Sequence, residues 1–118
     1  MVSVNREAVL KAAGRIAGLV ERTPLIEARV DGARVWLKCE CLQTGGAFKL
    51  RGATNRLLKL SEAGRERGVV AFSSGNHARG IAIAAKRLGI RATIVMPCDA
   101  PAVKVEGTRA EGADIVMY

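Results

Sequence analysis

At 118 residues the chain fits one small domain with a modest core and excludes two complete ones. A hydrophobic fraction of 49% with 25% charged residues is that of a globular protein, and one Trp, one Tyr and two Phe leave Ala, Val, Leu and Ile to build the core. The net charge of +8 would draw nucleic acid, acidic membranes or small anions, but the basic residues are scattered, no aromatic platform exists for stacking bases, and no stretch approaches a membrane-spanning length, so neither nucleic acid nor membrane is an expected partner.

Ser3 is the expected N-cap of a first helix, in which Val9, Leu10, Ala13, Ile16 and Ala17 recur at helical spacing up to Gly18. Pro24 pushes Thr23 out of the helical region, Asp31-Gly32 reads as a turn, and residues 35–40 alternate as a strand. Three cysteines, Cys39, Cys41 and Cys98, are an odd number without a signal peptide, which points to the reducing cytoplasm. Cys39 and Cys41 are expected on one strand face as buried structural thiols, and with His77 they show no tetrahedral ligand spacing, so no metal is expected.

Residues 43–53 follow, in which Gly45-Gly46 turns the chain into a helix carrying Lys49 and Arg51 in its first turn; Leu50, Ala53, Leu57 and Leu60 continue it toward Gly64 as a C-cap. Residues 68–72 read as a buried strand, residues 73–77 as a loop, and residues 78–88 as a helix closed by Gly89. A second buried strand over 91–96, a helix from Pro101 toward Gly112 and a third buried strand over 113–118 complete the pattern. Helices alternating with apolar strands specify βαβ units, hence an α/β fold with a doubly wound parallel sheet covered on both faces. A last buried strand with no helix after it reads as the end of an N-terminal piece of a longer protein.

Two stretches carry chemistry. Cations in the first turn of a helix oppose its dipole at a cost of a few tenths to about 1 kcal/mol, so an anionic or electrophilic group is expected near Lys49 and Arg51. A neutral lysine amine attacks aldehydes; the alternative is a solvated lysine on an ordinary amphipathic helix. Ser73, Ser74, Gly75, Asn76 and His77 lie where open α/β sheets bind ligands, and backbone N–H groups at a helix start hold a carboxylate or phosphate. By itself Ser-Gly-Asn is also an ordinary turn and N-cap.

Leu37-Lys38, Glu40 and residues 43–53 together resemble the lysine segment of the fold-type II pyridoxal-phosphate enzymes, in particular threonine/serine dehydratases and serine racemases. The resemblance runs from about Arg22 to Tyr118, includes the later run from Val95 to Ala113, and departs at Ala47, where the family has Ser. It implies the tryptophan synthase β-like fold, incomplete here, with residues 1–45 belonging to a large domain and 46–118 to a small one. It implies that Lys49 forms the internal aldimine with pyridoxal 5'-phosphate and moves the substrate's α-proton, that Phe48 and Asn76 contact the cofactor, and that Ser73, Gly75, Asn76 and His77 bind the substrate carboxylate.

The implied reaction is loss of water and then ammonia from a β-hydroxy amino acid, by an enzyme of amino-acid metabolism built from identical subunits. Ser74 stands where serine racemases use an acid/base serine, so it is a second catalytic candidate and racemisation is the alternative. Arg79 replaces the family's Gln, either adding charge near the substrate or pointing to solvent. In the family the phosphate-gripping glycine-rich loop and the pyridine-nitrogen partner come later in the chain than these 118 residues. Rival readings of other classes are a non-catalytic α/β module binding a small anion or a partner, and a nucleic-acid-binding fragment.

Overall fold

In the computed structural model, which describes residues 4–118, the first helix, α1 (Arg6–Ile16), is opened by Asn5, whose Oδ1 accepts from the Ala8 N–H at 2.9 Å. The expected cap, Ser3, lies outside the described residues. Glu7 in the first turn and Arg15 in the last complement the helix dipole, and Ile16 is the residue α1 buries.

An antiparallel hairpin follows, β1 (Leu25–Val30) and β2 (Ala33–Lys38), paired from Leu25↔Lys38 to Val30↔Ala33. Its two-residue turn has positive φ at both Asp31 (48°) and Gly32 (80°), the conformation whose twist matches the flanking strands. The strand expected over 35–40 thus begins and ends two residues earlier. After Lys38 the chain leaves the ladder, with Cys39 at φ −78°, ψ 66°, and residues Glu40–Leu42 form a 3-10 turn. Cys41 lies within that turn and Cys39 just before it, so the two thiols share no strand face. Nor are they buried core thiols, since Cys41 and Cys98 are exposed and Cys39 is half-buried.

Gly45 and Gly46, both at positive φ, lead into α2 (Lys49–Leu58), which buries Leu50, Ala53, Thr54 and Leu57. This helix stops well short of Gly64. Ser61 starts a separate short helix, α3 (Glu62–Arg67), by accepting from the Gly64 N–H at 3.2 Å, so Gly64 lies inside a helix and Gly68, at φ 80°, ends it.

Strands β3 (Val69–Phe72), β4 (Ala92–Met96) and β5 (Asp114–Met117) form a parallel sheet in that order, connected by α4 (Asn76–Leu88) and α5 (Ala102–Arg109). One face of the sheet, carrying Ala71, Ala92, Ile94 and Met96, is packed against these helices. On the opposite face Val70 (75% exposed), Phe72 (66%) and Val116 (51%) are open, so the strands expected to be buried on both faces are covered on one among the described residues. Helix α4 lies between the sheet and α2, and buries Ala78, Gly80, Ile81, Ala82, Ile83, Ala84 and Ala85. Its small side chains let α2 approach closely, and this seam is the centre of the core.

Candidate functional site

The segment from Thr44 to Lys49 runs along one stripe of α4, formed by residues 87, 83, 80 and 76 at alternating spacings of four and three. Arg87 donates to Thr44 Oγ1 at 3.2 Å. A Cβ on Gly45 would meet Ile83 Cδ1, the end of a side chain, at 2.7 Å, and Gly45 holds φ 83°, so it is the backbone that demands glycine there. A Cβ on Gly80 would lie 3.1 Å from the Lys49 carbonyl carbon and 3.3 Å from Lys49 Cβ. The two motifs are thereby joined: Lys49 starts α2 against Gly80, one helical turn from Asn76 at the start of α4.

Of the two cations in the first turn of α2, the structure accounts for one. Arg51 forms a two-pronged pair with Glu40, Nε to Oε2 at 2.8 Å and Nη2 to Oε1 at 2.7 Å, and Nη2 also donates to the Glu21 carbonyl at 2.9 Å. The Thr23 hydroxyl donates to the same carboxylate, and Lys38 Nζ donates to the Thr23 carbonyl at 2.6 Å. Hydrogen bonding from Arg51, reinforced by Thr23, holds the Glu40 carboxyl down at about 2 against the opposing effect of burial. The expected anion beside Arg51 is therefore Glu40. Lys49 is exposed, with Nζ 4.9 Å from the centroid of the Phe48 ring, and its amine has no hydrogen-bond acceptor among the described residues.

In the second motif Ser73 is anchored through its N–H to the Val95 carbonyl at 3.1 Å, and its Oγ accepts from the Gly75 N–H at 3.2 Å. Gly75 occupies the N-cap of α4 with no side chain capping the helix, which leaves the first-turn N–H groups at Asn76 and His77 facing outward. Ser74 is half-buried and Asn76 exposed. The site residues do not all face one space. Asn76 lines a small recess of about 110 Å³ with Gly75, Arg79 and Lys104, whereas the exposed His77 lines an apolar groove of about 360 Å³ between α2 and β3 with Leu57, Phe72 and Ile81. Arg79 reaches across toward Glu111 at 3.9 Å.

Two contributors escaped the sequence reading. Gly80 had a local signal, since glycine inside a helix costs about 1 kcal/mol relative to alanine and implies a packing reason. Glu40 stands among the residues that carry the family resemblance but had no role there, because its partner Arg51 lies across the glycine loop.

The family model described as "Pyridoxal-phosphate dependent enzyme" matches residues 16–118. The chain is 56% identical to an L-threo-3-hydroxyaspartate ammonia-lyase of Pseudomonas sp over 93% of its own length and 36% of the relative's. It is 45% identical to an L-threonine ammonia-lyase of Thermotoga maritima, covering 97% of this chain and 29% of that protein. The solved structure of maize serine racemase superposes with a TM-score of 0.92 at 42% identity, covering 98% of this chain and 36% of that one. The chain thus spans about a third of the length of the relatives it matches.

Proposed function

The chain belongs to the pyridoxal-phosphate dependent enzyme family, and we propose that the protein is an ammonia-lyase of the threonine/serine dehydratase type, which removes water and then ammonia from a β-hydroxy amino acid. Hydroxyaspartate, threonine and serine, the compounds in the relatives' names, share a hydroxyl on the β-carbon, and this shared chemistry supports the substrate class. The observation that carries the reading is Lys49 itself, its backbone packed against Gly80 one turn from the uncapped start of α4 and its amine left without a hydrogen-bond acceptor among the described residues.

These residues fit one end of pyridoxal 5'-phosphate. Lys49 offers a primary amine that the protein's own hydrogen bonding leaves free, as the aldehyde requires; Phe48 lies beside it, and Asn76 starts α4 one helical turn from the Gly80 on which the Lys49 backbone packs. The first-turn N–H groups of α4, with Ser73, Gly75, Asn76 and His77, would hold the substrate carboxylate. When bound, the cofactor supplies a sink for the electrons left on the α-carbon. The Lys49 amine takes the α-proton, and the α4 terminus orients the carboxylate so that this proton faces the amine.

A second reading is racemisation, favoured by Ser74, a half-buried residue whose hydroxyl has no hydrogen-bond partner among the described residues and is free to move a proton. Supplying L-serine, L-threonine and L-threo-3-hydroxyaspartate in turn, and measuring both 2-oxo acid and D-amino acid, separates the two. Ammonia-lyase activity yields the 2-oxo acid, and Ser74→Ala leaves most of it. If D-amino acid dominates and Ser74→Ala abolishes it, the racemase reading stands instead. Absence of both products together with absence of pyridoxyl label on Lys49 returns the chain to the non-catalytic class. Division into a large-domain segment over 1–45 and a small domain from 46, assembly from identical subunits and a cytoplasmic location belong to the same proposal.

A further inference from the structure

The residues around Arg51 form a polar tie between three stretches of chain that meet beside Lys49. Both Glu40 oxygens take the Arg51 fork at 2.7 and 2.8 Å, and Arg51 also donates to the Glu21 carbonyl. Thr23, 5% exposed, adds its hydroxyl to Glu40 while its carbonyl accepts from Lys38. Three residues after Glu40, the Gln43 amide, 3% exposed, imitates a strand neighbour of Glu21. It donates to the Glu21 carbonyl and accepts from the Glu21 N–H, each at 3.0 Å, and also accepts from the Thr44 N–H at 3.1 Å.

The loop carrying Lys49 is thus pinned before the lysine by Gln43 and after it by Arg51, while α4 supports it from below through Ile83 and Gly80. Such a tie is more than the helix needs. Leu50, Ala53 and Leu57 already dock α2 on α4, and a cation two residues from Lys49 gains nothing from the helix dipole. What the tie adds is a fixed rotation of the first turn, the turn from which the Lys49 side chain leaves. A two-pronged guanidinium–carboxylate pair constrains direction as well as distance, which a single hydrogen bond or a lysine would not.

We propose that Glu40 is a positioning residue for Lys49, acting through the Arg51 fork, with Thr23 holding the carboxylate in line. The proposal rests on the reading of Lys49 as the lysine that meets the cofactor aldehyde. Without the tie, the first turn of α2 rocks against Gly80 and the amine samples a wider range of positions, and small displacements at a reacting centre are costly.

The test uses the full chain treated with pyridoxal 5'-phosphate and then borohydride. Peptide mapping gives the share of pyridoxyl label on each lysine, and circular dichroism of the pyridoxyl chromophore reports whether it is held in one orientation. In the wild type, Lys49 carries most of the label and the chromophore shows a circular dichroism signal. Glu40→Gln keeps the shape and loses the charge, and Arg51→Lys keeps the charge and loses the fork. Each is expected to cut the Lys49 share about tenfold and abolish the chromophore signal, while label on Lys59 and Lys86 and the far-ultraviolet spectrum stay as they were. Should Glu40→Gln fail to fold, Thr23→Val decides, with an expected fall of about threefold. An unchanged Lys49 share and signal in the folded variants, or a fall that merely follows loss of far-ultraviolet signal, overturns the positioning role and leaves the Lys49 assignment intact. Wild-type label that avoids Lys49 overturns both.

Discussion

The α2–α4 seam and the β1–β2 hairpin are built from equally regular patterns, yet one is packed and the other stands open. In the seam Leu50, Leu57, Ala82 and Ala84 are at most 2% exposed, and glycines sit where side chains would collide. The hairpin has an equally apolar face, Ile26, Ala28 and Val30 opposite Leu37, Val35 and Ala33, but Ile26, Val30 and Leu37 remain about half exposed. Periodicity decides that an element forms and which residues share a face; whether that face is covered depends on what is packed against it. The chemistry follows the covered region. Lys49 and Asn76 both extend from the seam, whose rigidity fixes where their side chains start.

The sharpest way to break the comparison is at the end of the seam. Lys49→Ala should remove all pyridoxyl label from that position and all turnover of β-hydroxy amino acids, with far-ultraviolet circular dichroism unchanged, because the residue is exposed and contributes nothing to the core. Residual turnover at the wild-type rate would put the chemistry elsewhere. Inside the seam, Leu57→Ala deletes a side chain only 2% exposed and should cost about 2–5 kcal/mol, read as a lowered denaturation midpoint. Gly80→Ala places a methyl 3.1 Å from the Lys49 backbone, so α4 and α2 must part by a few tenths of an ångström. Its expected cost is about 1–3 kcal/mol, with a loss of Lys49 labelling out of proportion to the loss of stability.

Those residues also show what was readable beforehand. Helix α4 could be seen from its Ala and Ile spacing and from Gly89, because local pattern and tertiary packing agree there. Lys49 could be singled out because a cation at a helix start contradicts the dipole. The same contradiction at Arg51 had an internal answer in Glu40, which no rule of spacing reaches, since the pair closes across a loop. The end of α2 was misread at Gly64 because apolar spacing continued through Leu60, while Ser61 followed by Glu62 was the stronger, capping signal. Exposure of Val70 and Phe72 was unreadable for the reason the hairpin teaches: an apolar strand residue looks the same whether or not something covers it.

The polar tie gives a pH-dependent version of the comparison. The Glu40 carboxyl titrates at about 2 in the folded chain instead of its ordinary 4.5, so the folded state binds its proton less readily than the unfolded state. The stabilisation is therefore fully present above about pH 4.5 and is lost as the pH falls from there toward about 2. Thermal unfolding between pH 6 and pH 2.5 should show wild type losing more stability than Glu40→Gln, which has no proton to gain at that position. Parallel curves for the two proteins would mean that the pair contributes nothing measurable to folding.

The smallest expected effect lies in the hairpin, and it tests the comparison from the other side. Leu37 is 51% exposed and faces Ile26 across the strands, so Leu37→Lys removes little buried area and keeps the ladder hydrogen bonds. A surface change of this kind shifts stability by no more than about 0.5 kcal/mol, against several for Leu57→Ala. Its effect should appear instead between molecules. Exposed apolar surface of this kind, on the hairpin face and on the sheet face at Val70 and Phe72, favours contact between molecules, and a lysine in the middle of the hairpin face opposes such contact by burying a charge. Light scattering as a function of protein concentration should therefore show less association for Leu37→Lys than for wild type at an unchanged denaturation midpoint. A loss of stability comparable to that of Leu57→Ala would show that the hairpin face is packed in solution, and the contrast between the two regions would then fall.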